Sequence, residues 1–181
     1  HKRAQAEAMK NSRKVIVDIA KEYKKISGRG SIYFEEYYMD DAEVVMVIMN
    51  SAAGTVKTVI DAMRARGEKV GLLKPRIFRP FPYNELADAL SNVKAVAIMD
   101  RADSVGAEGG PLFMEFKSAL YGRKNQPMMI NKIYGLGGRD LMLNDIEEIY
   151  KELREIKNTG KIKALSEYIT VRGEEAAYGK A

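Results

Sequence analysis

The sequence contains no cysteine, and its only histidine is the first residue, His1. A chain without cysteine forms no disulfide, no cysteine-ligated zinc site and no iron–sulfur cluster of its own. Histidine-based metal centres and Ser–His–Asp triads need a histidine within the fold, so these classes of site are disfavoured as well. Together the two absences remove much of the usual catalytic repertoire.

Long apolar runs are also missing. No stretch approaches the roughly 20 residues that cross a bilayer, and the first ten residues, HKRAQAEAMK, lack the apolar core of a signal peptide. Because the sequence also starts without a methionine, we expect a piece of a longer protein that is located in the cytoplasm. The net charge of +5 comes with no nucleic-acid-binding motif, so we interpret it as solvated helix faces and expect neither nucleic acid nor membrane as a partner.

What the sequence does contain is a regular alternation of two patterns. Apolar runs, which are typical of strands buried on both faces of a parallel sheet, occur at residues 44–49, 70–73, 93–99 and 128–133, and Asn131 and Lys132 interrupt the last of them. The segments between them carry apolar residues at the three- and four-residue spacing of helices. This alternation predicts an α/β fold, a three-layer sandwich with a mostly parallel sheet and right-handed crossovers.

Several residues predict where elements begin and end. A charged helix over residues 3–27 should stop at Gly28, and the aromatic residues of 33–38 favour a strand. Pro82 should open a short helix, Pro111 should occupy the first turn of another, and Asn144 with Glu147 forms a plausible capping pair for the last. We divide the chain into a linker helix (1–29), an α/β domain (30–157) and a C-terminal tail (158–181).

Two loops at the carboxyl ends of the predicted strands are rich in polar or basic residues, and ligands of such folds bind at that edge. In the first loop, Ser51, Thr55 and free backbone amides could hold an anion, or Ser51 could simply cap its helix. The second loop is stiff and basic, and it could meet a carboxylate, a phosphate or a partner subunit, or leave its arginines in solvent. Its candidate residues are Arg76, Arg79, Pro80, Phe81 and Pro82.

Two further loops contain glycines. Residues 100–111 combine acidic groups with three glycines, so Asp100 could contribute to a magnesium site, or Asp100 and Arg101 could pair with neighbours. The last loop, IYGLGGRD, contains Gly135, Gly137, Gly138 and Arg139. Its glycine spacing matches neither the dinucleotide fingerprint nor a P-loop. We therefore interpret these glycines as residues that allow positive φ or close backbone approach.

Taken in order, four segments resemble the C-terminal region of the α subunit of pyruvate:ferredoxin oxidoreductase. They are EEYYMDDAEVVMVIMNSAAGT, GLLKPRIFRPFPYNEL, VAIMDRADSVGAEGGPLFMEF and IYGLGGRD, and the resemblance covers roughly residues 30–156. Among related 2-oxoacid:ferredoxin oxidoreductases, RPFP and GLGGRD favour the pyruvate branch. One departure is Asn50-Ser51, where the family often has Gly-Ser; asparagine tolerates left-handed geometry, so the turn can be kept.

The resemblance implies a domain similar to the C-terminal domain of transketolase, within an enzyme that decarboxylates pyruvate, forms acetyl-CoA and reduces ferredoxin. Thiamine pyrophosphate, magnesium, iron–sulfur clusters and coenzyme A would be bound elsewhere, with no cofactor, metal site or catalytic residue in this chain. Partners would be the thiamine domain and other subunits, and ferredoxin through the holoenzyme. The alternatives are an anion- or coenzyme A-binding module, or the equivalent domain of another 2-oxoacid enzyme. We expect the isolated chain to be inactive and the candidate residues of the four loops to face another domain or subunit.

Overall fold

The computed structural model describes residues 1–171, which form a six-stranded sheet with helices on both faces. The strands are β1 (Phe34–Tyr37), β2 (Val44–Val47), β3 (Val70–Pro75), β4 (Ala95–Asp100), β5 (Met128–Ile133) and β6 (Ser166–Tyr168). The helices are α1 (Lys2–Ser27), α2 (Ala52–Ala65), α3 (Tyr83–Ala89), α4 (Pro111–Leu120) and α5 (Leu143–Thr159). The order across the sheet is β1-β3-β2-β4-β5-β6, and only the pairing of β1 with β3 is antiparallel. The predicted α/β sandwich with a mostly parallel sheet is confirmed.

Two buried clusters of side chains explain the three layers. Successive residues of a strand point to opposite faces, so Val44 and Met46 pack with α2 and α5, whereas Val45 and Val47 pack with α3 and α4. All four residues are almost completely buried. The continuous apolar runs of the sequence therefore reflect strands that are covered on both faces.

The first helix lies outside these layers, and none of its residues is buried. It ends at Gly28, whose φ of 70° is left-handed, as the sequence predicted. Arg13 ties the helix to the body: its guanidinium pairs with Glu85 of α3 and lies 5.1 Å from the ring centroid of Tyr33. The role of this helix as a linker stays a prediction.

The sheet continues beyond residue 157, because β6 adds a parallel strand next to β5. The amide of Asn131 donates to the carbonyl of Leu165 (2.8 Å), and that of Ile169 donates to the carbonyl of Ile133 (2.9 Å). Residues 172–181 of the predicted tail lie outside the described residues. The three-part division of the chain stays a prediction, with this strand added to the segment assigned to the tail.

The helix starts show one error and two agreements. Asn144 and Glu147 do not cap α5: the helix begins at Leu143, and the amide of Met142 donates to the Asp145 carboxylate at 2.9 Å. The acidic residue that completes this box lies two residues earlier than predicted, so Asn144 falls within the first helical turn. Pro111 occupies the first position of α4, and Pro82 directly precedes α3, as predicted.

Candidate functional site

A crevice opens at the carboxyl ends of β2 and β4. The helix that follows β2 packs on one face of the sheet, whereas the helix that follows β4 packs on the other. The two connections therefore diverge and leave a cleft between them, as at the switch point of other open α/β sheets. The cleft has a volume of about 230 Å³. Its lining consists of residues 49–52, 99–102 and 111–112, together with Phe78 and Tyr134.

The first wall of the crevice is the turn into α2. Asn50 has a φ of 63°, so the asparagine does adopt the left-handed conformation that this turn requires. Ser51 occupies the position before the helix, yet its hydroxyl makes no capping hydrogen bond. The amides of Ser51, Ala52 and Ala53 donate to no described residue. The start of α2 therefore offers unused donors to the crevice, and the interpretation of Ser51 as an ordinary side-chain cap is wrong.

The second wall is built on Asp100, the last residue of β4, whose side chain is buried. Its carboxylate accepts hydrogen bonds from the amides of Leu112 (2.8 Å) and Phe113 (3.1 Å), at the start of α4. The side-chain amide of Asn131 donates a third bond at 3.0 Å. Burial raises the pKa of the Asp100 carboxyl above its ordinary value, and these three donors act in the opposite direction. Asp100 thus caps α4 from within the fold.

Close packing keeps this arrangement in place. A β-carbon on Gly110 would lie 2.3 Å from the carboxyl carbon of Asp100, so only glycine fits. The amide of Gly110 donates to the side-chain oxygen of Asn131 at 2.9 Å, and that oxygen also accepts from the hydroxyl of Ser166 at 3.0 Å. Asn131, which interrupts an apolar strand, therefore connects β4, β5, β6 and the start of α4.

The third wall follows β5. Tyr134 is 5% exposed, and burial raises the pKa of its hydroxyl. Gly135 has a φ of 69°, and a β-carbon there would lie 3.0 Å from Nε of Arg101. Gly137 and Gly138 also have positive φ (68° and 76°) in a short 3₁₀ turn. The interpretation of these glycines as turn-forming residues is confirmed.

A second cavity of about 410 Å³ adjoins the first. Both are lined by Ser51, Ala52, Arg101 and Tyr134, so they form one continuous cleft, which we call the switch-point crevice. Thr55, Arg139 and Asp140 border only the second cavity, together with the apolar residues 141–143. One guanidinium nitrogen of Arg139 donates to the carbonyl of Thr170 at 3.0 Å.

In the basic loop between β3 and α3, the side chains of Arg79 and Phe81 already have partners within the domain. Arg79 pairs with Glu115 of α4 at 2.6 Å, and its guanidinium lies 4.2 Å from the ring centroid of Phe78. Phe81 is 3% exposed and packs edge-on against Phe116. The loop is therefore held rigidly against α4, with the Phe81 side chain directed into the core.

The structure therefore brings only some of the predicted site residues together and places the others elsewhere in the domain. Ser51, Thr55, Arg101, Gly135 and Arg139 meet at the switch-point crevice, and Asp100 lies beneath it. Arg79 and Phe81 contact α4, and Pro80 and Pro82 lie in the same loop before α3. Gly137 and Gly138 form the exposed turn, and Arg76 lies in a groove beside α1. Sequence reasoning missed Tyr134 and Asn131. A polar residue within an otherwise apolar strand was the available signal for Asn131.

The polar groups that line the crevice include the Ser51 and Tyr134 hydroxyls and the Arg101 guanidinium, all of which can donate hydrogen bonds. Within residues 1–171, no three histidine, cysteine, aspartate or glutamate side chains lie close enough together to hold a metal ion. The magnesium site considered for residues 100–111 has a physical obstacle, since the Asp100 carboxylate is already engaged by three donors.

Comparison with known families identifies the domain. Residues 42–146 match the family described as pyruvate:ferredoxin oxidoreductase core domain II. The chain belongs to this family. This core domain II spans the sheet from just before β2 to the start of α5 and so includes every wall of the crevice.

The curated proteins that this chain resembles include subunits of oxidoreductases. The chain is 46% identical to pyruvate synthase subunit PorA of Thermotoga maritima over 152 residues, which cover 84% of this chain and 38% of that protein. It is 42% identical to ketoisovalerate oxidoreductase subunit VorA of Pyrococcus abyssi over 158 residues, which cover 87% and 40%. The chain therefore spans about two fifths of the length of these curated relatives.

A solved structure shares the fold of this core domain II. It is the 2-oxoglutarate:ferredoxin oxidoreductase from Magnetococcus marinus with 2-oxoglutarate, coenzyme A and succinyl-CoA bound. The TM-score is 0.52 at 18% identity, over 73% of this chain and 21% of that one. Separately, none of the helices within residues 1–171 has the length and apolarity needed to span a membrane.

Proposed function

We propose that the chain is the assembly domain of the α subunit of a pyruvate:ferredoxin oxidoreductase. The observation that supports this is the rim of the switch-point crevice, where large apolar side chains are exposed next to basic ones. Met142 and Leu143 are 61% and 50% exposed and line the second cavity together with Arg101 and Arg139. Leu136, which is 38% exposed, lies three residues before Arg139 in the same turn. Exposed apolar groups mixed with arginine are typical of surfaces that contact another protein.

In this proposal the domain positions catalytic parts that lie elsewhere. The holoenzyme oxidatively decarboxylates pyruvate to acetyl-CoA and CO2 and reduces ferredoxin in the cytoplasm. Thiamine pyrophosphate, magnesium, iron–sulfur clusters and coenzyme A belong to its other domains and subunits. The absence of cysteine from the sequence agrees with clusters held by other chains.

Pyruvate is the proposed substrate, because the RPFP and GLGGRD segments resemble those of the pyruvate branch. The curated relatives include both pyruvate synthase and ketoisovalerate oxidoreductase subunits, so the choice needs a direct assay. Reduction of ferredoxin by the assembled enzyme should be faster with pyruvate than with 2-oxoisovalerate. A higher kcat/KM for 2-oxoisovalerate would assign the enzyme to the other branch.

The assembly role is tested by placing a charge on the rim. Met142→Lys in the complete α subunit, co-expressed with its partner subunits, should lower the yield of assembled complex at least about tenfold, because burying an unpaired ammonium is unfavourable. Size-exclusion chromatography measures the yield, and pyruvate-dependent ferredoxin reduction should fall in parallel.

The matched control is Tyr121→Lys. Tyr121 is 88% exposed and follows α4, at the opposite edge of the sheet. This variant should assemble normally. Normal assembly of Met142→Lys, or equal loss in both variants, would refute the assignment of the rim as the contact surface.

A further inference from the structure

The floor of the switch-point crevice collects hydrogen-bond donors that have no acceptor. The geometry points to a binding site for a phosphate group, held by the first amides of α2, the Arg101 guanidinium and the Tyr134 hydroxyl. This site goes beyond the proposed assembly role, which depends on the exposed apolar side chains of the rim beside the same two arginines. Four observations on the described residues support it.

The first is Tyr134. This residue is only 5% exposed, and it borders both cavities of the crevice. Its hydroxyl has no hydrogen-bond partner among the described residues, although the hydroxyls of Tyr37, Tyr83 and Tyr150 each have one. The ring of Tyr134 is thus fixed by packing, and its unpaired hydroxyl is available at the wall of the cleft to donate a hydrogen bond to a ligand.

The second observation is the start of α2. The amides of Ser51 and Ala52 donate to no described residue, and these two residues line both cavities of the crevice. The left-handed Asn50 turns the chain directly into the helix, so that no side chain covers these amides. Free amides and the positive end of the helix dipole together attract an anion.

The third observation is Arg101, an exposed arginine with no carboxylate partner within residues 1–171. The absence of a side chain at Gly135 makes room for it, since a β-carbon there would lie 3.0 Å from its Nε. The backbone of the glycine-rich turn thus permits the guanidinium to lie beside Tyr134 and the start of α2. Arg139 adds a second positive charge at the same cavity.

The fourth observation is the contrast with α4. There, the carboxylate of Asp100 already accepts the amides of Leu112 and Phe113, so that helix start is filled by an anion of the chain itself. The start of α2, on the other side of the same crevice, has no such group. Asp140 is the remaining carboxylate on the lining, and the two arginines outnumber it.

The number of donors favours phosphate over carboxylate. The donors are the backbone amides, the Arg101 guanidinium and the hydroxyls of Tyr134 and Ser51. Together they can donate more hydrogen bonds than the two oxygens of a carboxylate accept in one plane. A tetrahedral phosphate group presents oxygens in several directions, and arginine with helix amides is a common combination for it. We therefore expect inorganic phosphate to bind more tightly than acetate.

The test is a titration of the complete ¹⁵N-labelled 181-residue chain with sodium phosphate at constant ionic strength, followed by amide chemical shifts. Saturable shifts should appear at Ala52, Ala53 and Gly54, and acetate should saturate them only at higher concentration. No saturation, or equal affinity for acetate, would overturn the phosphate assignment.

Three variants locate the site. Arg101→Gln should weaken phosphate binding about tenfold, the loss of a charge-assisted contact, and Tyr134→Phe about fivefold, the loss of one hydrogen bond. Arg29→Gln removes the same charge from another exposed arginine without a described partner, and should leave the affinity unchanged. Equal weakening in all three variants would indicate general charge attraction and overturn the proposal.

Folding provides an independent readout for Tyr134. Because its hydroxyl has no partner in the chain, Tyr134→Phe should keep the urea midpoint without phosphate and lose only the stabilisation that added phosphate gives. Retained stabilisation in this variant would contradict the site. The assembly assay of Met142→Lys does not depend on phosphate, so the two proposals fail separately.

Discussion

Replacing Asp100 by alanine tests the internal cap of α4. The substitution removes the acceptor for the Leu112 and Phe113 amides and for the side chain of Asn131. Loss of a helix cap costs about 1–2 kcal/mol, and a buried donor left without a partner costs about 1–3 kcal/mol. Since Asn131 keeps its bond to the Ile98 carbonyl at 2.9 Å, we expect a total loss of about 3 kcal/mol in the free energy of unfolding.

Urea unfolding followed by circular dichroism measures this loss. With a slope of about 2 kcal/mol per M, the midpoint should fall by about 1.5 M. Asp100→Asn keeps one acceptor oxygen but turns an amide donor toward other donors, so its loss should be smaller, about 2 kcal/mol.

The control for this experiment is Asp88→Ala. Asp88 is exposed near the end of α3 and pairs with Arg123 at 3.0 Å, a surface contact that contributes at most about 1 kcal/mol. A loss in Asp100→Ala no greater than in this control would refute the cap as a source of stability.

Two further predictions concern other contacts. Tyr150→Phe removes the bond from a completely buried hydroxyl to the Gly71 carbonyl (2.8 Å) and should lower the free energy of unfolding by about 1–2 kcal/mol; an unchanged urea midpoint would contradict this. The hydrogen bond from Lys157 lowers the pKa of the Glu43 carboxyl below its ordinary value in the folded chain. This carboxylate therefore contributes stability above the unfolded-state pKa, and the contribution is lost as the pH falls through the folded-state pKa. The urea midpoint of Glu43→Gln should accordingly fall less between pH 7 and pH 3 than that of the unmodified chain or of the Glu36→Gln control.

The parts of the fold that the sequence predicted correctly are those set by local patterns. Residues 128–133 were predicted as a strand and form β5, because a strand covered on both faces is mainly apolar, even though Asn131 and Lys132 interrupt this run. Gly28 and the glycines after β5 adopt the positive φ that was expected. These features depend on neighbouring residues alone, so one sequence is sufficient to predict them.

The parts that were missed depend on contacts between distant residues. Asp100 and Leu112 are joined across a loop, and Asn131 joins both to the edge of the sheet through Ser166. The sequence indicated that Asp100 lay at a strand end, but it contained no local signal that the carboxylate would serve α4. Likewise, Tyr134 looked like the end of an apolar run, and its unused hydroxyl became evident only within the crevice.

The short strand β6 has a consequence for where the domain can be cut. The family match ends at residue 146, and a chain shortened to residue 157 would keep all the other strands and lose only the last two residues of α5. It would nevertheless lose the carbonyl of Leu165 and the amide of Ile169, which satisfy the outer edge of β5. An exposed row of unpaired backbone groups on an apolar strand is a template for other chains. Residues 165–169 thus protect the sheet from edge-to-edge aggregation, in addition to the packing of Ile169 and Leu165 against the two buried clusters.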